Sequence, residues 1–393
     1  MGVGGRAGRL AGLTMISVLS VAGNACNPAW ANGAPSASSV TGWVIDDQPT
    51  APNFTPPGNL QYNSTGQANT IQRTGTGAYT IEFPGLQFHG GSVSVTPTGQ
   101  AAAVCEVVTW VKTLTGQQVQ VACFGSTGSP ADSRFAAAYT GMPGTTSPTG
   151  TVAYVKIDTP TAKEHFPDQD DWYATFTSTG PAVTHVGTGR YRILFPGLDL
   201  HGGTVAVTAW GSNAVTCRII KWSGTSQGEV FNIACTGPGG TPRDTKSDIS
   251  FSQGNDYLGI NNTQEGYAFA DRSKASSYTP PPAYTEDKVR TGTPQVTITR
   301  QGVGRYRADF AAAADPGGYA QVTAQGSTTN VCQAATWGQS GTGELVNVKC
   351  RTTAGAPADT KFTIQFVGTP YPAAIGVPAQ AAVRRVFGCM HDT

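Results

Sequence analysis

Charge is what this chain has least of. Of its 393 residues, 12% are Asp, Glu, Lys or Arg and the formal net charge is +1, against a usual charged share of ~25%. No long run of one sign occurs, so the concentrated basic stripe of a nucleic-acid binder is missing. Beyond the N-terminus no segment is long and apolar enough for a transmembrane helix. H-E-x-x-H, the P-loop, the dinucleotide fingerprint and C-x-x-C are also absent, and with them the usual sequence grounds for a zinc site or nucleotide chemistry. Ser340, in Gly338-Gln339-Ser340-Gly341, is followed by Thr342 where a nucleophile elbow needs glycine. No metal, cofactor or catalytic residue is expected.

Apolar residues make up 39% of the chain, and glycine (50) and proline (26) are in excess. Among short Val/Thr/Tyr runs, that excess marks many turns between short strands. The N-terminus has the three-part pattern of a secretory signal peptide: Arg6 and Arg9, an uncharged apolar stretch from Leu10 to Ala22, and Ala29-Trp30-Ala31. Residues 1–31 are read as that peptide and 32–40 as a small-residue linker. A lipoprotein reading through Cys26 lacks the leucine usual at the start of the three residues before it, Gly23-Asn24-Ala25. Export makes disulfides available.

Self-similarity is the strongest signal. Tyr79-Thr-Ile-Glu-Phe83-Pro-Gly-Leu86 recurs as Tyr191-Arg-Ile-Leu-Phe195-Pro-Gly-Leu198 and, decayed, as Tyr306-Arg-Ala-Asp-Phe310. A glycine pair follows each time (Gly90-Gly91, Gly202-Gly203, Gly317-Gly318), then a Cys, a Trp five residues on, a second Cys, and a Pro-x-Asp. Leading segments at Trp43, Tyr154 and Tyr267 place three units at 40–150, 151–264 and 265–375, with 376–393 as a tail holding the unpaired Cys389. About seven alternating strands per unit predict an all-β chain of three tandem small β-sandwich or barrel-like units.

Cys105 and Cys123, Cys217 and Cys235, and Cys332 and Cys350 are each 18 residues apart. Their midpoints, Leu114, Ser226 and Gly341, fall in turn-like segments, so each pair sits opposite across a hairpin, within disulfide reach. Three pairs of buried free thiols are the alternative. On a regular strand a five-residue step puts Trp110, Trp222 and Trp337 on the face opposite their Cys. There they are candidates to stack on a sugar or anchor a partner; the alternative is a Trp covering a packed second face or turned inward by a bulge. His89 and His201 read as turn residues, since the third copy has Pro316. Asp132, Asp244 and Asp359 read as turn caps, and Asp168-Gln-Asp170-Asp171 as a solvated loop.

The run Arg73-Thr-Gly-Thr-Gly77-x-Tyr79 through Phe83-Pro-Gly-Leu86, then Gly-Gly, Cys, Trp, Cys and Pro130-Ala-Asp132-Ser-Arg-Phe135, resembles a repeat of uncharacterised secreted bacterial proteins, notably actinobacterial ones. The resemblance implies export and repeat architecture, and brings no activity or site residues. The third copy departs from it by losing Pro-Gly-Leu after Phe310. A secreted, non-catalytic binding or adhesion protein with an extracellular glycan or protein ligand is the expectation. The alternatives are a hydrolase in which Asp168, Asp170 or Asp171 meets His165 or His185, and a passive matrix component whose repeats set length.

Overall fold

The computed structural model describes residues 40–142, 150–175, 177–198, 200–254, 257–260, 263–288 and 295–370. The segments expected to be a signal peptide (1–31), a linker (32–40, save Val40) and a tail (376–393), with Cys26 and Cys389, lie outside them.

The first unit has nine strands: β1 (Val40–Asp46), β2 (Asn53–Phe54), β3 (Gln61–Asn63), β4 (Thr70–Gly75), β5 (Ala78–Pro84), β6 (Ser92–Pro97), β7 (Ala103–Lys112), β8 (Gly116–Gly125) and β9 (Phe135–Met142). One sheet runs β3-β1-β9-β6 and the other β2-β4-β5-β8-β7, with every pairing antiparallel. The two sheets enclose a sandwich core in which alternate residues point inward, Tyr79, Ile81 and Phe83 from β5 meeting Phe135, Ala137 and Tyr139 from β9.

The second unit repeats this with β10 (Thr151–Ile157), β11 (Glu164–His165), β12 (Trp172–Ala174), β13 (Ala182–Gly187), β14 (Arg190–Pro196), β15 (Thr204–Trp210), β16 (Thr216–Thr225), β17 (Gly228–Thr236) and β18 (Lys246–Gln253). The third has β19 (Glu265–Ala270), β20 (Ser277–Tyr278), β21 (Thr285–Lys288), β22 (Val296–Gly302), β23 (Arg305–Phe310), β24 (Tyr319–Gln325), β25 (Val331–Ser340), β26 (Gly343–Arg351) and β27 (Lys361–Val367). Strand order within the two later units is the same, position for position. The chain is therefore all-β, built from three sandwiches.

Each cysteine pair is a disulfide between directly opposed residues of neighbouring strands, with Cα atoms 4.1, 4.0 and 4.1 Å apart in the three units. Each bridge cross-links one hairpin within the core, which in a chain-entropy account is worth roughly 3 kcal/mol.

The units do not follow one another like beads. β7 of the first pairs in parallel with β15 of the second at Val107 and Trp210. β16 of the second pairs with β24 of the third at Ile219 and Gln325. A parallel bridge between Thr98 and Ala334 joins the third back to the first. One backbone bond recurs around this circle: Gly211 N–H donates to Val107 O, Gly326 to Ile219 and Gly99 to Ala334. The three sandwiches form a closed ring.

Candidate functional site

The repeated residues fall into two groups, one tying each sandwich together and one tying it to the next.

The first group centres on the aspartates. The Asp132 carboxylate accepts both N–H groups of one edge of Arg73 at 2.9 Å, the Gly77 amide at 2.8 Å and the Tyr79 hydroxyl at 3.3 Å. Asp359 does the same with Arg300, Gly304 and Tyr306, and Asp244 with His185, Gly189 and Tyr191. The aspartates do cap turns, but the capped turn lies in the hairpin far upstream, not beside the Asp itself. Glycine is required there: Gly77, Gly189 and Gly304 have φ of +65°, +65° and +63°, and a Cβ would lie 2.3, 2.4 and 2.2 Å from the carbonyl of the unit's second cysteine. Hydrogen bonding from arginine holds the Asp132 and Asp359 carboxyls below the usual range. At Asp244 burial opposes ionisation, but the Gly189 amide and His185 outweigh it.

The second group includes the tryptophans, and of the two placements expected for them the inward one, turned by a bulge, is found. A bulge inserts one extra residue, Val108, Ile220 or Ala335, between Cys and Trp. The parity of the strand flips, and each Trp returns to the Cys face, opposite Val119, Phe231 and Val346. Trp222 is buried, while Trp110 and Trp337 are half-buried. The indole N–H groups donate to the glycine-pair loops, at Gly90, Gly202 and Gly318. The rings meet the neighbouring unit. Trp110 lies 4.7 Å from Trp210 of the second unit, with Lys156 Nζ over its ring at 5.2 Å. Trp222 packs edge-on against Phe269 and Tyr284 of the third. Trp337 packs on the cluster where Tyr319 of the third unit meets Trp43 of the first. Each repeated Trp packs at the junction with the next sandwich of the same chain.

The glycine pairs serve the same junctions. Gly90, Gly202 and Gly317 each press on a 3-10 turn of the following unit, where a Cβ would come within 2.3 Å of Asp170 O, 1.7 Å of Ala283 O and 1.8 Å of Asn59 O. Gly203 and Gly318 donate to Ala283 O and Asn59 O. The acidic loop is part of this joint and not merely solvated. Asp170 accepts from His89 of the first unit at 2.9 Å, and Asp171 pairs with Lys156.

Buried ionisable groups set the three joints apart. Glu106 accepts the amides of Asn213 and Ala214 in the second unit at 2.6 and 2.7 Å. Its repeat equivalent Arg218 donates to Gly326 O in the third, and the next equivalent, Gln333, donates to Gly99 O and Ala101 O in the first. Burial raises the Glu106 carboxyl to about 7. It also raises to about 7 that of Asp248, which takes the Ser92 hydroxyl at 2.6 Å and the Val93 amide at 3.0 Å across the first joint.

Of the residues named for the hydrolase alternative, His165 pairs with Asp158, His185 with Asp244, Asp170 with His89 and Asp171 with Lys156. Among the described residues no group of three or more His, Cys, Asp or Glu is placed to hold a metal, and no helix is long and apolar enough to cross a membrane. A groove of about 800 Å³ on the third unit, walled by Pro280 to Pro282 and edged by Arg272, Glu286 and Gln295, has the volume of small-ligand sites. No protein-family model matches the chain, and no curated protein matches it in sequence.

Proposed function

We propose that the chain is a secreted, non-catalytic binding or adhesion protein that holds three equivalent surfaces in fixed orientation toward an extracellular glycan or protein. The observation that carries this reading is ring closure through the same contact at each joint. Whatever one sandwich displays, the ring displays three times about one axis. Rigid presentation lowers the ordering cost of binding, and several sites together raise avidity. Three disulfides suit an oxidising compartment. A passive spacer is less well supported, because a closed ring has no length for repeat number to set. The groove beside Arg272 is the place to look for a ligand of sugar size.

Purified mature protein on a glycan array and on cell-wall fractions tests the reading. Binding that Arg272→Ala weakens without changing the melting temperature supports the groove. Blank results on both overturn the binding function.

A further inference from the structure

The strands nearest the ring axis have two buried faces. On β6, β15 and β24, Val95, Val207 and Val322 enter their own sandwich cores. The alternate residues Thr96, Thr208 and Thr323 lie between the units, all under 5% exposed. They line a cavity of about 40 Å³, with Cys105, Cys217 and Cys332 also in its wall. A second void of about 20 Å³ shares Val104, Thr216 and Val331 with the first and is bounded by Arg351.

Two features of this axis are unbalanced. Thr208 Oγ1 accepts the Val95 amide at 3.2 Å and Thr323 Oγ1 the Val207 amide at 3.3 Å, one bond per joint. The third member of that series is missing, and the buried Thr96 hydroxyl has no partner. No acceptor for the Thr208 or Thr323 hydroxyl hydrogen occurs among the described residues, so three O–H donors are unspent. The second feature is Arg351, 9% exposed. Its Nη1 donates to Gln333 Oε1 at 2.8 Å and its Nη2 at 2.5 Å to the carbonyl of Ala103, itself in the cavity wall. Both acceptors are neutral, and burial lowers the guanidinium to about 10. A buried cation without a counter-charge is costly, and donors around a void are stabilised by an acceptor inside it.

We propose that the axial cavity binds one small anion of halide size, held by the hydroxyls of Thr96, Thr208 and Thr323 beside Arg351. A water needs roughly 10–15 Å³ of such space, so the void of about 40 Å³ has room for a halide ion with a water or two beside it and is too small for an organic anion such as gluconate. The ion acts as a rivet, contacting all three units, with the positive charge of Arg351 just behind the cavity wall, where it holds the Ala103 carbonyl. The site is independent of any extracellular ligand.

The test uses the mature chain in bromide. Anomalous diffraction is expected to place a bromide among the three threonines. The melting temperature is expected to rise by several degrees as chloride or bromide replaces gluconate, too large to enter, at fixed ionic strength. Thr96→Val and Arg351→Met should each lose both signals; if Arg351→Met does not fold, Thr96→Val alone decides. An axial void holding only water or nothing, bromide confined to the surface, or an undiminished halide shift in Thr96→Val overturns the proposal.

Discussion

The aspartate knots and the ring joints were both built three times, and they have aged differently. Inside the sandwiches, Asp132, Asp244 and Asp359 keep the same tyrosine and glycine partners, with one change, His185 where the others have arginine. Between them, one repeat position is Glu106, Arg218 and Gln333. A sandwich must solve the same packing problem in each copy, so its solution is kept. A joint has only to fit its own neighbour, so once the ring is one chain each joint can differ. Three unlike joints also favour one order of units around the circle, because a glutamate facing amides and an arginine facing a carbonyl cannot exchange partners without leaving a buried group unpaired.

The widest separation between joints is expected at the tryptophans. Trp222→Ala removes a buried ring and the Phe269 and Tyr284 contacts together, and should cost about 3–5 kcal/mol. Trp110→Ala and Trp337→Ala, at half-buried rings, should cost less. Denaturant unfolding of the three variants checks this, and equal losses would mean that the joints are energetically alike.

Second in size is a pH effect confined to the first joint. Asp248 is raised from 3.8 to about 7 by burial. The fold therefore favours its protonated form, and that contribution is complete below pH 3.8 and lost as pH rises to about 7. Asp248→Asn keeps both bonds, its amide oxygen accepting from Val93 and its nitrogen donating to Ser92. The variant should match the parent near pH 4 and exceed it at pH 8 by an amount of order 2–4 kcal/mol. Glu106 and Glu344, raised to about 7 and about 8, titrate in both proteins and cancel in the difference. A constant gap between the two stability profiles would show that Asp248 is ionised throughout.

Gly317→Ala probes closure between the third and first units. The added Cβ meets the Asn59 carbonyl at 1.8 Å, and overpacking against backbone costs about 1–3 kcal/mol. Gly338, with nothing within 4 Å of its added Cβ, is the control for alanine. Small-angle scattering should show a more open particle for Gly317→Ala alone.

The sandwiches were legible in the sequence and the ring was not, for a physical reason. Alternation marks one buried face, and on β6 it sets Val93 and Val95 apart from Ser92, Ser94 and Thr96. In the fold Ser92, Ser94 and Thr96 are all under 4% exposed, because the second face is covered by another unit and lined with small polar residues. The two placements open for the tryptophans differ by one residue: the bulge at Val108, Ile220 or Ala335 leaves no mark in composition yet reverses every side chain beyond it. The cysteine pairs lie beyond that bulge from the turn, and they were legible all the same because their common 18-residue spacing centres on the turn to within half a residue. The glycine pairs were visible as a repeat, but their role depends on a turn in a different unit.

The smallest expected effect returns to the knots. His185 sets the second knot apart, donating through one nitrogen where Arg73 and Arg300 each give two bonds. If the knot is a purely local clasp, His185→Arg should make the second unit resemble the others. It should raise stability by less than about 1 kcal/mol, since the pair is partly solvated. The gain should be insensitive to Trp222→Ala, because among the described residues the hydrogen bonds of the Asp244 knot and that of the Trp222 indole have no partner in common. Coupling between the two substitutions in a double-mutant cycle would mean instead that the sandwich interior transmits strain to the ring, and that knots and joints are not separate layers of the design.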